Sequence, residues 1–169
     1  MTVTPVQTTT KRPAQLQKNK LVLVVSRGTL DAIYPALVLA TTAPSMGMEC
    51  DVYFTFWGLK ALTKKGIKNV KIGSVGNPGL PLPNAIGMLP GMTEIATRMM
   101  NSRIKKYWPS PYEMLKMAKD AGARIHACSP TMGFMGVGED DLIPEVEDIV
   151  GASAFLGWAT DPQAVTLFI

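Results

Sequence analysis

The chain has 169 residues, with 17 Lys and Arg against 13 Asp and Glu, two cysteines and one histidine. That length buries a sizeable core without staples, two cysteines make no secreted disulfide framework, and a lone histidine without CxxC spacing speaks against an all-protein zinc site. The formal charge of +4 resides in residues 1–20, where Lys11, Arg12, Lys18 and Lys20 meet no acid; 13 basic and 13 acidic residues remain, so the body lacks the basic surface that nucleic-acid binding requires.

Residues 1–19 are rich in Thr, Gln and Lys and have little to bury, which predicts a disordered basic tail. A single α/β domain is expected over 20–169. Lys20 to Val25 is a continuous apolar run, the pattern of a strand buried on both faces. Ser26-Arg27-Gly28 then turns into a long apolar helix over roughly 30–46, closed by Gly47. The turn is a candidate anion contact, although it lacks the spacing of a P-loop or a dinucleotide fingerprint.

Cys50 to Phe56 reads as a second strand, and Trp57-Gly58 leads into a short lysine-rich helix. Val70 to Val75 suggests a short extra strand. The apolar loop over 77–91 is too long for a plain connector, and a lid or an arm into a neighbouring subunit both suit it. Met92 to Trp108 predicts a helix with Met92, Ile95, Ala96, Met99, Met100 and Tyr107 on one stripe, a pattern more common in cores than on binding surfaces. Ser110-Pro111-Tyr112-Glu113 is a capping box that opens the next helix, and Gly122 ends it. After a strand over 123–128 and a helix over 130–136, a weaker strand is expected over 144–150. A small-residue helix over 151–159 and a last strand over 164–169 follow. Strands alternating with helices predict a three-layer α/β fold, with a mostly parallel sheet of about five strands covered on both faces.

No apolar run is long and clean enough to span a bilayer. The best, over 30–48, is broken by Asp31, Pro35, Pro44 and several threonines. Nor does the chain start with the apolar segment of a signal peptide, so a reducing cytoplasm is expected. Eleven methionines and a hydrophobic content of 47% point to buried subunit interfaces and hence to a homo-oligomer. Lys60, Lys64, Lys65, Lys68 and Lys71 cluster apart from an acidic stretch, Glu139 to Asp148. Such runs are usually solvated faces, and docking of a charged partner is the alternative.

The densest chemistry lies at Arg124-Ile-His-Ala-Cys-Ser-Pro-Thr-Met-Gly133. The strand ends on Cys128, and Ser129-Pro130 is a favoured helix start, with Ser129 as N-cap and Pro130 as first helical residue. A thiol delivered to a helix N-terminus meets free amides that favour its anion, lowering its pKa from about 8.5 to roughly 3.5–7.5. In the Ser110 box, Glu113 occupies its own helix start. Around Ser129 the equivalent position holds Met132, so no local carboxylate competes with Cys128. In parallel sheets ligands gather at the carboxyl ends of strands. Ser26, Arg27, Gly28, Phe56, Trp57, Cys128, Ser129, Thr131, Met132 and Gly133 are therefore the candidate site, with His126 two residues before the cysteine on the same strand face. A strand-end cysteine is equally often an inert buried hydrophobe. Cys50 begins its strand, at the opposite end of the sheet, and is not expected to pair with Cys128.

The chain resembles the DsrE/DsrF-like family, and its DsrE-like sulfur-carrier branch in particular. The resemblance is carried by Thr55-Phe-Trp-Gly-Leu59, Ala127-Cys-Ser-Pro-Thr-Met-Gly-Phe-Met-Gly136, the segment from Asp141 to Leu156 and Thr166-Leu-Phe-Ile169. It implies a small flavodoxin-like α/β domain that forms oligomers and needs no cofactor. It implies also a sulfurtransferase or carrier cysteine, mapping onto Cys128, that accepts sulfane sulfur as a persulfide or thiosulfonate. TusA-like and rhodanese-like proteins are the partners so implied. A thiol-independent scaffold and a cysteine-based redox protein are the rival readings, the latter weakened by the lack of an evident resolving cysteine. Removing residues 1–19 is expected to leave assembly and thiol reactivity intact, as gel filtration and thiol labelling of the shortened chain can check; loss of either would move the domain boundary.

Overall fold

Lys20–Val25 form β1, and all six residues are buried, as their unbroken apolar pattern requires. The computed structural model describes residues 19–73 and 91–169; the expected tail and the 77–91 loop lie outside them, apart from Asn19 and Gly91. From β1 the chain passes through α1 (Leu30–Ser45), β2 (Glu49–Phe54), two 3-10 turns (Phe56–Leu62 and Ile67–Asn69), α2 (Met92–Ile104) and α3 (Pro111–Asp120). It then forms β3 (Arg124–Cys128), α4 (Ser129–Met135), a 3-10 turn (Glu139–Asp141), β4 (Asp148–Val150), α5 (Ala152–Ala159) and β5 (Ala164–Phe168).

The five strands lie in the order β4-β3-β2-β1-β5, and every pairing is parallel. Alternation along the strands divides the sheet into two faces. Leu21, Leu23, Val25, Cys50, Val52, Phe54, Ile125 and Ala127 join α1 and α3 in the main core. Val24, Tyr53 and Cys128 point the other way and form a second, smaller cluster. There α5 is the cover: Phe155 stacks on Tyr53 at 5.3 Å and Trp158 lies over the His126 ring at 4.3 Å. Helices thus cover both faces, as the βα alternation predicts.

The second face also carries charge. Asp51, fully buried in β2, receives Arg124 Nε at 2.6 Å and Nη2 at 2.8 Å, shares a hydrogen bond of 3.0 Å with His126 Nε2, and lies 3.3 Å from Lys20 Nζ. Residues that look isolated in sequence meet because β1, β2 and β3 start within two residues of one another: Lys20 pairs with Glu49 and Arg124 with Asp51. Burial pushes the Asp51 carboxyl up, but the His126, Arg124 and Lys20 contacts outweigh it and hold the group well below the usual carboxylate range.

Several expectations need correction. The lysine-rich segment after Trp57 winds as 3-10 turns and not as an α-helix. Of the strand expected over 70–75, the described part, Val70 to Gly73, makes only a bridge between Lys71 and Thr29, and the remainder lies outside the described residues. The methionine stripe is mostly outside the core: of α2, Ala96 is buried, whereas Ile95 and Met99 are exposed, as is Tyr107 beyond its end. The helix meets the rest through Ala96 and half-buried Met100 and Ile104, so its stripe is wider than its footprint. The basic and acidic stretches fold against each other. Lys64 Nζ donates to the Asp140 carbonyl at 2.6 Å, and Thr63 bridges to Leu142.

Asp51→Asn is expected to destabilise the fold by about 3 kcal/mol near neutrality, because it leaves Lys20 and Arg124 without their buried counter-charge. A depressed carboxylate stabilises the fold fully above its unfolded pKa of about 3.9, and the benefit disappears as pH falls from there toward the native value. The variant should therefore lose less stability than the parent below about pH 4, a difference that urea unfolding at several pH values would reveal.

Candidate functional site

Cys128 ends β3 and is itself the N-cap of α4, with φ −75° and ψ 109°. The expected cap, Ser129, is instead the first helical residue and is exposed. The one-residue shift matters, because it puts the sulfur where a capping oxygen normally accepts from the first turn. It also makes Thr131, not Met132, the third helical residue. Cys128 nevertheless makes no side-chain cap hydrogen bond, and α4 has only seven residues, so neither a capping amide nor a long macrodipole is the main polarising contact.

Cys128 is 5% exposed, but the surroundings of its sulfur are not hydrocarbon alone. Thr131 Oγ1 donates to Cys128 Sγ at 3.1 Å. Burial pushes the thiol up; the hydroxyls of Thr131, Thr55 and Tyr53 and the Thr131 main-chain N–H more than offset it, leaving the pKa below the ordinary thiol value. Tyr53 shows the reciprocal effect, its own ionisation suppressed by burial and by its hydrogen bond to Cys128. Val24, Val150 and Phe155 complete the apolar side of the chamber.

Three strand ends build the remainder. Thr55 N donates to Val25 O at 3.0 Å and Gly58 N to Ser26 O at 2.9 Å, which ties the end of β2 to the end of β1. A side chain at Gly28 would strike Trp57 O at 2.4 Å, and one at Gly58 would strike Val25 O at 2.2 Å; only glycine admits this approach. Phe56 N donates in turn to Thr131 Oγ1 at 3.2 Å, joining β2 to α4. Ser26 N and Oγ both donate to Ile169 O, so the final residue closes the far side.

Of the residues singled out by sequence, Thr131 touches the sulfur and Phe56 touches Thr131. Ser26 and Gly28 frame the Phe56–Gly58 segment without meeting Cys128. Trp57 packs edge-on against Phe56 at 5.6 Å, and the Phe56 ring stacks on Phe134 at 6.0 Å. Met132 belongs to the main core, whereas Arg27 and Gly133 are exposed. His126 bonds to Asp51 and is capped by Trp158, so its contacts are those of the charged network and not of the thiol. Tyr53 and Thr55 were missed, although strand alternation places both on the Cys128 face once β2 is known to neighbour β3.

Cys50 is the counter-example within the same fold. It is buried in the main core, where desolvation and the neighbouring Asp51 charge push its thiol up to about 12. The two cysteines are unpaired. Among the described residues no cluster of three or more His, Cys, Asp or Glu could hold a metal ion, and no helix is long and apolar enough to cross a membrane.

Fold and site together define a small parallel α/β protein with a polarised cysteine at a strand end. The chain belongs to the DsrE/DsrF/DrsH-like family, whose model matches residues 17–168. It is 35% identical over 163 residues to the sulfur carrier protein DsrE2 of Allochromatium vinosum, a match covering 91% of this chain and all of that protein. It is 27% identical over 165 residues to YrkE of Bacillus subtilis, covering 90% of this chain and 98% of YrkE. The crystal structure of the E. coli ychN protein shares the fold, with a TM-score of 0.54 at 13% identity over 89% of this chain and 99% of that one.

Iodoacetamide labelling is expected to modify Cys128 with a midpoint below that of an ordinary thiol and to spare Cys50 until the solution is strongly alkaline. Peptide mass mapping across a pH series separates the two sites, and equal labelling at neutral pH would contradict the contrast between them.

Proposed function

We propose that the chain is a sulfur carrier that takes sulfane sulfur onto Cys128 and hands it to a partner protein. One observation carries this reading: a cysteine sulfur at the carboxyl end of a parallel strand accepts a hydrogen bond from Thr131 Oγ1 at 3.1 Å. The similarity to a protein named as a sulfur carrier supports it. In this reading the Cys128 thiolate attacks the outer sulfur of a donor persulfide; the Sγ–S bond forms as the donor S–S bond breaks, and the donor leaves as a thiolate. An acceptor thiolate then attacks that outer sulfur and releases Cys128 as thiolate, so no net oxidation occurs. With tetrathionate, the same attack leaves a thiosulfonate on Cys128 and expels thiosulfate.

The hydroxyls that stabilise the thiolate suit a terminal persulfide anion equally well. TusA-like and rhodanese-like proteins are the proposed exchange partners, in the cytoplasm, with the carrier as a homo-oligomer and residues 20–169 as its one domain. The 5% exposure of Cys128 favours the scaffold reading in one respect, and loading tests it directly. After incubation with polysulfide, thiosulfate or tetrathionate, mass spectrometry of the whole protein is expected to show a sulfur adduct that is absent in Cys128→Ser. No adduct under any of these conditions would assign the chain to the scaffold class, and rapid sulfenic acid formation with peroxide would assign it to redox chemistry.

A further inference from the structure

We propose that Phe56 is a positioning residue whose main chain, and not its ring, aims the Thr131 hydroxyl proton at the Cys128 sulfur. The inference rests on Cys128 being the reacting sulfur. Phe56 is the one non-glycine with positive φ among the described residues, at +47°. Bulky side chains avoid this left-handed region, and such outliers persist only where the surroundings over-determine them.

The surroundings here do so from both sides. Thr55 N is held by Val25 O and Gly58 N by Ser26 O, with the Gly28 and Gly58 backbones packed too closely for any side chain. The short span between these anchors must fold outward, and the left-handed turn falls on Phe56. Its N–H then points at Thr131 Oγ1, 3.2 Å away.

Proton accounting gives this contact its consequence. A threonine hydroxyl has one proton to give and two lone pairs to offer. The Phe56 N–H can only donate, so it fixes the Thr131 oxygen as an acceptor on that side. Two directions remain for the Thr131 proton: Thr55 Oγ1 at 3.1 Å and Cys128 Sγ at 3.1 Å. When Thr55 donates to Thr131, both lone pairs are engaged and the Thr131 hydroxyl proton points at the sulfur. Without the Phe56 N–H the hydroxyl is free to turn a lone pair toward the sulfur, which repels an anion there. The exposed Phe56 ring is not part of this chain of contacts.

The test uses the full-length chain in a Cys50→Ala background and reads the pH midpoint of Cys128 alkylation. Glycine adopts the left-handed conformation without strain, whereas a β-branched residue resists it. Phe56→Gly is therefore expected to keep the parent's midpoint, and Phe56→Val to raise it by about one unit. Thr131→Val should raise it at least as far, and Thr131→Ser should restore it. A Phe56→Gly midpoint displaced as far as that of Phe56→Val would show that the ring matters and overturn the proposal. So would an unmoved midpoint in Thr131→Val; and if Phe56→Val does not fold, the glycine variant and the Thr131 pair still decide. No sulfur donor is present, so the outcome is independent of loading. A flat midpoint series with normal loading counts against this inference alone, and the expected series without loading counts against the carrier function alone.

Discussion

The register between β2 and β3 is the constraint on which the rest of the molecule depends. Asp51 lies opposite Arg124 at one end of this pair, and Phe54 lies opposite Ala127 at the other. The first pairing gives a buried carboxylate its guanidinium; the second sets Thr55 and Phe56 beside the first turn of α4. Side chains alternate along a strand, so a slip of one residue would turn Asp51 into the main core and Val52 out of it. A buried carboxylate without counter-charge costs several kcal/mol, and that cost excludes the slipped arrangement. Charge at the entrance of the sheet thereby fixes geometry at its exit.

This division of labour gives His126 its place. It shares a strand face with Cys128, but a two-residue step along a strand is roughly 7 Å, too long for a sure hydrogen bond, and a satisfied structural histidine is the commoner outcome. Asp51 holds its Nε2 at 3.0 Å and Trp158 covers its ring. An imidazole bound to an ionised carboxylate and sealed by an indole is anchored in the framework. It is the Thr131 hydroxyl that donates to the thiol, with the Thr55 and Tyr53 hydroxyls beside it, and hydroxyls bring no titration of their own near neutrality.

How much of this was legible follows from which interactions are local. The capping box at Ser110 and Glu113 is a four-residue pattern, and it is present, with Ser110 N donating to Glu113 Oε2 at 2.8 Å. The unbroken apolar run of β1 similarly requires burial on both sides and nothing more. The thiol's position at a strand–helix junction was readable for the same reason. By contrast, the cap lies at Cys128 and not at Ser129, against the residue preference at N-caps, and Phe56 N bonds to Thr131 in the first turn that results. The α2 stripe failed because periodicity reports that a helix has an apolar side and not how much of that side its own chain covers. Tyr53, Thr55 and the left-handed turn at Phe56 were invisible, since each depends on β1, β2 and β3 standing side by side in space.

The two cysteines show why composition alone cannot assign a reactive thiol. Each is buried and each belongs to a strand of the same sheet. Cys50 faces aliphatic side chains with a carboxylate next to it in sequence, and every nearby influence except Arg124 opposes its anion. Cys128 is desolvated too, but the Thr131 hydroxyl donates to its sulfur at 3.1 Å, and the nearby Thr131, Thr55 and Tyr53 hydroxyls together favour its anion enough to outweigh burial. Desolvation is then no longer a simple penalty. In a chamber from which water is largely excluded, each of these donors acts through a lower dielectric than it would at the surface. The same burial that disfavours the Cys50 anion therefore strengthens the hydrogen bond that Cys128 accepts.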